Sequence, residues 1–222
     1  VSESTVVRFA FFLGFRGYGK MREEISRTLL DTLSTLRRID RSCTKANDGY
    51  LEKIMDLDLE TLLKLRERIP KSYIESFADV VFRAKSVFIA ASRSSYTLGY
   101  YFHYYLSWIR KSVTLLPEVT AYEFLENAPA GSLVIGITFP RYTRWTVDIL
   151  AHSHGKGLET GAITDTMESP LVPFASHVVY VPYSPLSFID SFTAPLCMIN
   201  CLIISISMKY GDTLKERFAS LE

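Results

Sequence analysis

Several hallmarks of specialised protein classes are missing from this sequence. The 222 residues include three cysteines, none at a zinc-binding spacing, so we expect neither a disulfide framework nor a zinc module. Cys197 and Cys201 lie four residues apart in an apolar segment, which predicts reduced thiols facing one core. The longest apolar run, Ala194 to Met208, is shorter than a membrane span, and no secretory signal is recognised. We therefore expect a cytoplasmic protein with a buried C-terminal core helix.

The nucleotide-binding and metal-binding motifs are also missing. Neither G-x-x-x-x-G-K-[ST] nor G-x-G-x-x-G occurs, which argues against a nucleoside triphosphate and a dinucleotide. The four histidines form no H-E-x-x-H or comparable cluster, so no metal is expected. Glu123, Glu126 and Glu168 resemble exposed carboxylates rather than a base aimed at a substrate. The sequence thus predicts no catalytic residue, metal or cofactor.

Charge is distributed unevenly along the chain. Residues 1–45 contain nine Lys/Arg and five Asp/Glu, a net charge of +4, whereas the remaining 177 residues contain sixteen and nineteen, a net charge of −3. A basic end on a mildly acidic body is typical of a nucleic-acid contact, although solvated helices often have the same excess.

Two kinds of periodicity divide the chain near residue 45. The first part has helical spacing, with a helix predicted from Val1 to Phe12, a glycine-rich turn, and a second helix from Lys20 to Arg41. A further amphipathic helix over Tyr50 to Ile69 is stopped by Pro70. Short apolar runs then alternate with helical stretches, at Ser86–Ala91, Val113–Leu116, Leu133–Thr138, Glu159–Thr164 and Val178–Val181. This alternation predicts an α/β fold, a doubly wound five-stranded parallel sheet flanked by helices.

Two strand-to-helix loops carry the polar residues of interest. Ser92, Arg93, Ser94 and Ser95 follow the first predicted strand, and the segment from Thr138 to Thr143 follows the third. Ligands of open parallel sheets bind beyond the carboxyl ends of the strands, and a helix start with hydroxyls and an arginine suits a phosphate dianion. Serines and threonines are also the usual N-caps, so each loop alone has a simpler structural explanation. Together they predict a site for a small phosphorylated ligand.

The motifs in these segments resemble the SIS (sugar isomerase) domain, specifically the RpiR-type regulators that join it to a helix-turn-helix. Thr138-Phe139-Pro140-Arg141-Tyr142-Thr143 is similar to the S-F-P-R-Y-S loop of that family. Thr164-Asp165 with Ser169-Pro170-Leu171 resembles its T-D…S-P-L segment, and Asp190-Ser191 its lead into the last core helix. The segment from Val1 to Tyr18 resembles the end of its DNA-binding domain, beginning at the recognition helix.

The resemblance implies a sugar-phosphate effector and an operator DNA partner. It assigns residues 1–45 to a partial helix-turn-helix with a linker helix, and 46–222 to the SIS domain. The expected phosphosugar-binding residues are Ser94, Ser95, Thr138, Arg141, Thr143 and Arg93, and the expected DNA-binding residues are Ser2, Ser4, Thr5 and Arg8. Ala90 and Ser92 replace glycines usual in the first loop, and Pro140 replaces a hydroxyl, so Arg93 and Arg141 are expected to supply charge instead.

Further expectations concern completeness and assembly. Since the helices that precede a recognition helix have no counterpart, we expect the chain to be part of a longer protein. The aromatic run Tyr100–Tyr105 and the apolar C-terminal helix predict a homodimer or tetramer. Two alternatives to a regulator stay open: a sugar-phosphate isomerase or aldolase-like enzyme, and a bare dimerisation module with an inactive pocket.

Overall fold

The computed structural model describes residues 3–21, 49–185, 189–211, 214, 215 and 219, in two compact units. The first unit comprises Val1–Asp48 with Pro185–Ile189, and its described helix is α1, Glu3–Phe12. Most of the helix predicted over Lys20 to Arg41 lies outside the described residues. The predicted division at residue 45 into a DNA-binding and a ligand-binding part stays a prediction.

The second unit comprises Gly49–Ser184 with Asp190–Glu222 and contains the sheet. Its amphipathic helices and apolar strands alternate as the sequence pattern predicts. The helices are α2 Tyr50–Arg68, α3 Lys71–Arg83, α4 Tyr96–Ile109, α5 Ala121–Glu126, α6 Arg144–Gly155 and α7 Thr193–Tyr210. The strands are β1 Val87–Ala91, β2 Val113–Leu115, β3 Leu133–Ile137, β4 Glu159–Thr164 and β5 His177–Tyr180.

The five strands form one parallel sheet in the order β2-β1-β3-β4-β5, which confirms the predicted doubly wound α/β fold. In register, Val87 of β1 lies beside Val113 of β2 on one side and Leu133 of β3 on the other. The chain therefore builds outward in both directions from β1, and the strand order reverses between β1 and β3. Parallel sheets of this type bind ligands at such a switch point.

Helices cover both faces of the sheet, which explains why β1 and β3 are apolar at every position. On one face Ile89 and Ile135 belong to a core that includes residues of α3, α4 and α7. On the other face Phe88 and Val134 pack with residues of α5 and α6. Alternate residues of each strand point to opposite faces, so this division follows directly from strand geometry.

Helix α7 is a core helix of this unit. Its length and mean hydropathy of 1.3 are sufficient to cross a membrane, but seven of its residues are buried, among them Met198, Leu202 and Ile206. The expectation that both cysteines face the core is wrong for Cys201, which is exposed, whereas Cys197 is partly buried. Residues four apart on a helix differ by about 40° in direction, and this difference places Cys201 beyond the edge of the buried face.

Candidate functional site

The two polar loops lie side by side at the carboxyl edge of the sheet. The first loop continues from β1 through a 3₁₀ turn over Arg93–Ser95 into α4, and the second connects β3 to α6. Because β1 and β3 are hydrogen-bonded neighbours, with Ala91 beside Ile137 at their ends, the loops emerge next to each other. Both start a helix, whose first N–H groups have no partner within the helix and favour an anion.

Both loops contain an arginine with a left-handed backbone. Arg93 has φ of 54° and Arg141 has φ of 72°, and they are the two non-glycine residues with positive φ in the described part of the chain. Such a conformation costs a residue with a Cβ on the order of 1 kcal/mol. Strain of this kind concentrates at functional sites, where it fixes the direction of a side chain.

Donors from the two loops converge on one carboxylate. Ser94 Oγ donates to Asp190 Oδ2 at 2.8 Å, and Arg141 Nη2 lies 2.9 Å from both Asp190 Oδ1 and Oδ2. Tyr183, which follows β5, donates from its hydroxyl to Asp190 Oδ1 at 2.6 Å. The Asp190 side chain is only 6% exposed. Donors from three separate segments thus surround one carboxylate, and the space that it occupies is the anion position.

The other predicted ligand-binding residues occupy different places. Thr138 is buried, and its Oγ1 accepts a hydrogen bond of 3.2 Å from the backbone N–H of Thr143, which holds the second loop in shape. Ser95 is buried beneath the first loop, whereas Arg93 is exposed. Of the six predicted residues, the structure brings Ser94 and Arg141 together at one point.

A second polar cluster follows β4. The Tyr142 hydroxyl, from the second loop, donates to Asp165 Oδ1 at 2.9 Å, and Thr164 Oγ1 lies 2.7 Å from Ser169 Oγ and 3.2 Å from Asp165 Oδ1. Burial raises the pKa of Asp165, although the hydrogen bond from Tyr142 acts in the opposite direction. The carboxyl lines a cleft of about 380 Å³ together with Arg68, Ile69, Pro70, Tyr73, Tyr180 and Pro182.

Sequence reasoning missed Asp190 and Tyr183 as members of the site. The sequence motif identifies Asp190 only as part of the segment that leads into the last helix. Asp190 lies 96 residues from Ser94 and 49 from Arg141 along the chain. No periodicity links residues so far apart. The available signal was an acidic residue three positions before a helix start, and acidic residues also occur there without any ligand.

The residues predicted to contact DNA belong to the first unit. Ser4, Thr5 and Arg8 lie on α1 and are exposed, whereas Ser2 lies outside the described residues. Within the described ranges, no group of three or more His, Cys, Asp or Glu side chains is arranged to hold a metal ion.

The fold is an α/β domain, and at the switch point of its parallel sheet donors from two loops surround the carboxylate of Asp190. The sequence profile of the SIS domain matches residues 81–205, more than half of the chain, and the chain therefore belongs to the SIS domain family. The match begins in α3, ends in α7 and includes both polar loops.

Three solved structures illustrate the range of similar proteins. The sugar isomerase domain of an RpiR transcription factor from Sphaerobacter thermophilus is 23% identical, with a TM-score of 0.70, over 76% of this chain and 96% of that one. The Vibrio vulnificus NanR protein complexed with ManNAc-6P is 16% identical, with a TM-score of 0.68, over 100% and 80%. A candidate sugar-phosphate isomerase from Listeria monocytogenes is 15% identical, with a TM-score of 0.63, over 78% and 94%. No curated protein matches the sequence.

Proposed function

We propose that this chain is a cytoplasmic transcriptional regulator whose SIS domain binds a sugar phosphate as effector and whose N-terminal part binds operator DNA. The observation that carries the proposal is the convergence of Ser94 and Arg141 on one anion position between β1 and β3. A phosphate dianion needs hydroxyl and guanidinium donors of this kind, and Arg suits its geometry.

The remaining predicted residues are proposed to support the site from the two loops. Thr138 and Thr143 shape the second loop, the N–H groups at the start of α6 face the same edge of the sheet, and Ser95 and Arg93 flank Ser94. The ManNAc-6P in the similar NanR structure supports a sugar phosphate as the class of ligand. The proposal requires no cofactor.

A thermal-shift panel of sugar phosphates, with inorganic phosphate and the free sugars alongside, tests ligand binding. At a hundredfold excess over Kd a ligand stabilises the native state by about 2.7 kcal/mol, which raises the Tm of a domain of this size by roughly 5–10 °C. We expect Ser94→Ala and Arg141→Ala to weaken the affinity about tenfold or more, and so to lower the Tm shift at a given ligand concentration, since each removes a donor to the anion.

A matched control is Arg83→Ala, because Arg83 is exposed and precedes β1 at the opposite edge of the sheet. It should keep the wild-type response. Ligand binding that is indifferent to Ser94 and Arg141, or no response to any phosphorylated sugar, would remove the effector part of the proposal.

The DNA-binding part rests on α1 and on the basic charge of residues 1–45. Ser4, Thr5 and Arg8 present two hydroxyls and a cation on one exposed helix, groups that contact phosphates and base edges in recognition helices. Ser2 completes the proposed set.

Fluorescence anisotropy with DNA from upstream of the protein's own gene, at several salt concentrations, tests this part. We expect binding whose affinity falls with salt, weakens with Arg8→Ala and changes when the effector is added. Equal affinity of the full-length protein for promoter DNA and unrelated DNA would refute operator recognition.

A sugar-phosphate isomerase is the second candidate function. One observation favours it: Asp165 accepts a hydrogen bond from Tyr142 of the second loop, and burial raises its pKa, as suits a carboxyl that exchanges protons with a substrate. Incubation with aldose and ketose phosphates and analysis of the products decides between the two. Turnover that Asp165→Asn abolishes would favour the enzyme.

A further inference from the structure

The anion position holds an anion that belongs to the chain itself. Asp190 accepts from Ser94, Arg141 and Tyr183, and its side chain is almost completely buried by them. A carboxylate oxygen and a phosphate oxygen demand the same donors with the same geometry. The Asp190 carboxylate therefore has, in this structure, the contacts that the proposed effector would need.

The two anions compete for the same donors. The single hydroxyl proton of Ser94 serves one acceptor at a time, so a phosphate oxygen must replace Asp190 Oδ2 there. Arg141 directs one nitrogen, Nη2, at both oxygens of the carboxylate. A phosphate within hydrogen-bond reach of Ser94 and Arg141 would also lie close to the negative charge of Asp190. Repulsion between the two anions disfavours binding of both at the same time.

We propose that Asp190 is an internal competitor of the effector: its carboxylate occupies the phosphate position in the free protein, and the phosphate displaces it on binding. This inference rests on the proposed effector function. It adds the structural change that distinguishes the free protein from the effector-bound protein. The effector acts by exchanging one anion for another on Ser94 and Arg141.

The displaced residue is coupled to the helix that follows the N-terminal unit. Ser191, next to Asp190, donates to Asp58 Oδ1 on α2, and Thr193 Oγ1 donates to Asp58 Oδ2 at 2.7 Å. Asp58 thus holds the start of α7, and Asp190 lies one residue before that contact. Movement of Asp190 away from Arg141 consequently pulls on the segment that is hydrogen-bonded to α2. Helix α2 begins at Tyr50, two residues after the N-terminal unit ends in the sequence.

Affinity measurements on charge-removing variants test the competition. Asp190→Asn keeps the size of the side chain and removes its charge, and Asp190→Ala removes the side chain beyond Cβ. If the carboxylate occupies the site nine-tenths of the time, its removal tightens the apparent Kd for inorganic phosphate and sugar phosphates about tenfold. Asp148→Asn is the matched control, since Asp148 lies on α6 and pairs with Arg144 at the surface.

The two proposals fail differently in this experiment. If the wild type binds a phosphorylated ligand and both Asp190 variants bind it equally or more weakly, Asp190 is no competitor and the effector function stands. If neither the wild type nor the variants bind any phosphorylated compound, both proposals fall. Binding by the variants alone would show that Asp190 occupies the position but is not displaced by the ligand, and the effector function and the proposed exchange would both fall.

Hydrogen exchange on the wild-type protein provides a test that requires no variant. Ligand binding should slow amide exchange in the loops after β1 and β3 and speed it in the segment 190–196, which loses its contacts with Arg141 and Ser94. Slower exchange in all three segments would overturn the inference, because it would mean that Asp190 stays in place beside the ligand.

Discussion

At the scale of single residues, two substitutions of Arg93 measure how much its left-handed backbone destabilises the fold. Arg93→Gly removes the Cβ that makes φ of 54° costly, whereas Arg93→Ala keeps it, and both remove the exposed guanidinium. We expect the glycine variant to be more stable than the alanine variant by about 1 kcal/mol. Urea denaturation of the two proteins measures the difference. An alanine variant as stable as the glycine variant would show that the native backbone is unstrained there.

Asp165 predicts a pH-dependent contribution to stability with a defined sign. Burial raises its native pKa above the ordinary value of 3.8, so the native state binds the proton more tightly than the unfolded chain does. The stability that this proton contributes is complete below 3.8 and is lost as the pH rises through the native pKa. Asp165→Asn keeps an acceptor for Tyr142 without the charge. We therefore expect the stability of the variant relative to the wild type to rise as the pH increases above 3.8, measured by denaturation at a series of pH values, and a pH-independent difference would contradict this sign.

At the scale of elements, the strands were predictable and the composite site was not. All five strands lie within one residue of the ends that the apolar runs predict, because helices cover both faces and force nearly every strand position to be apolar. The sequence also predicted that both polar loops lie at one edge of the sheet, and the strands that they follow, β1 and β3, are neighbours. The contact of Asp190 with Arg141 and the exposure of Cys201 depend on how α7 is rotated and packed. Local sequence patterns do not determine that rotation.

The approach of α4 to β1 provides a prediction at the same scale. A Cβ on Gly99 would lie 2.6 Å from Ala91 Cβ and 3.3 Å from Leu115 Cδ1, so the helix can approach the strand because Gly99 lacks one. Gly99→Ala should push α4 outward and lower the free energy of unfolding by about 1–3 kcal/mol. It should also weaken the ligand response, since Ser94 lies at the start of that helix.

Gly155→Ala is the matched control for this displacement. Gly155 ends α6 with nothing within 4 Å of a Cβ, so the substitution should be neutral or slightly stabilising. Chemical denaturation and thermal shift with ligand measure both effects. Equal stability of the two alanine variants would mean that α4 has room to accommodate the methyl group.

At the scale of the whole molecule, α4 presents an aromatic surface suited to a second copy of the chain. Tyr96, Tyr100, Tyr104 and Trp108 recur every four residues and are 40–53% exposed, with Tyr96, Tyr100 and Tyr104 stacked in series. Helix α7 lies beside α4, joined through the Tyr101 hydroxyl and Asn200 Oδ1 at 2.8 Å, and it exposes Ile204 and Met208. Aromatic residues and methionine are enriched in protein interfaces, and a two-fold symmetric dimer suits an operator-binding protein.

We therefore expect a homodimer, or a dimer of dimers, in sedimentation velocity at micromolar concentration. Tyr104→Glu with Trp108→Glu should dissociate it, because two carboxylates in each copy would be buried without partners on association. Met167→Glu, at a position 74% exposed in the turn after β4, is the control and should leave the mass unchanged. A wild type that sediments as a monomer at micromolar concentration would contradict the prediction. If the double variant stays dimeric, the dimer forms through a different face, and α7 with Ile204→Glu is then the next element to test.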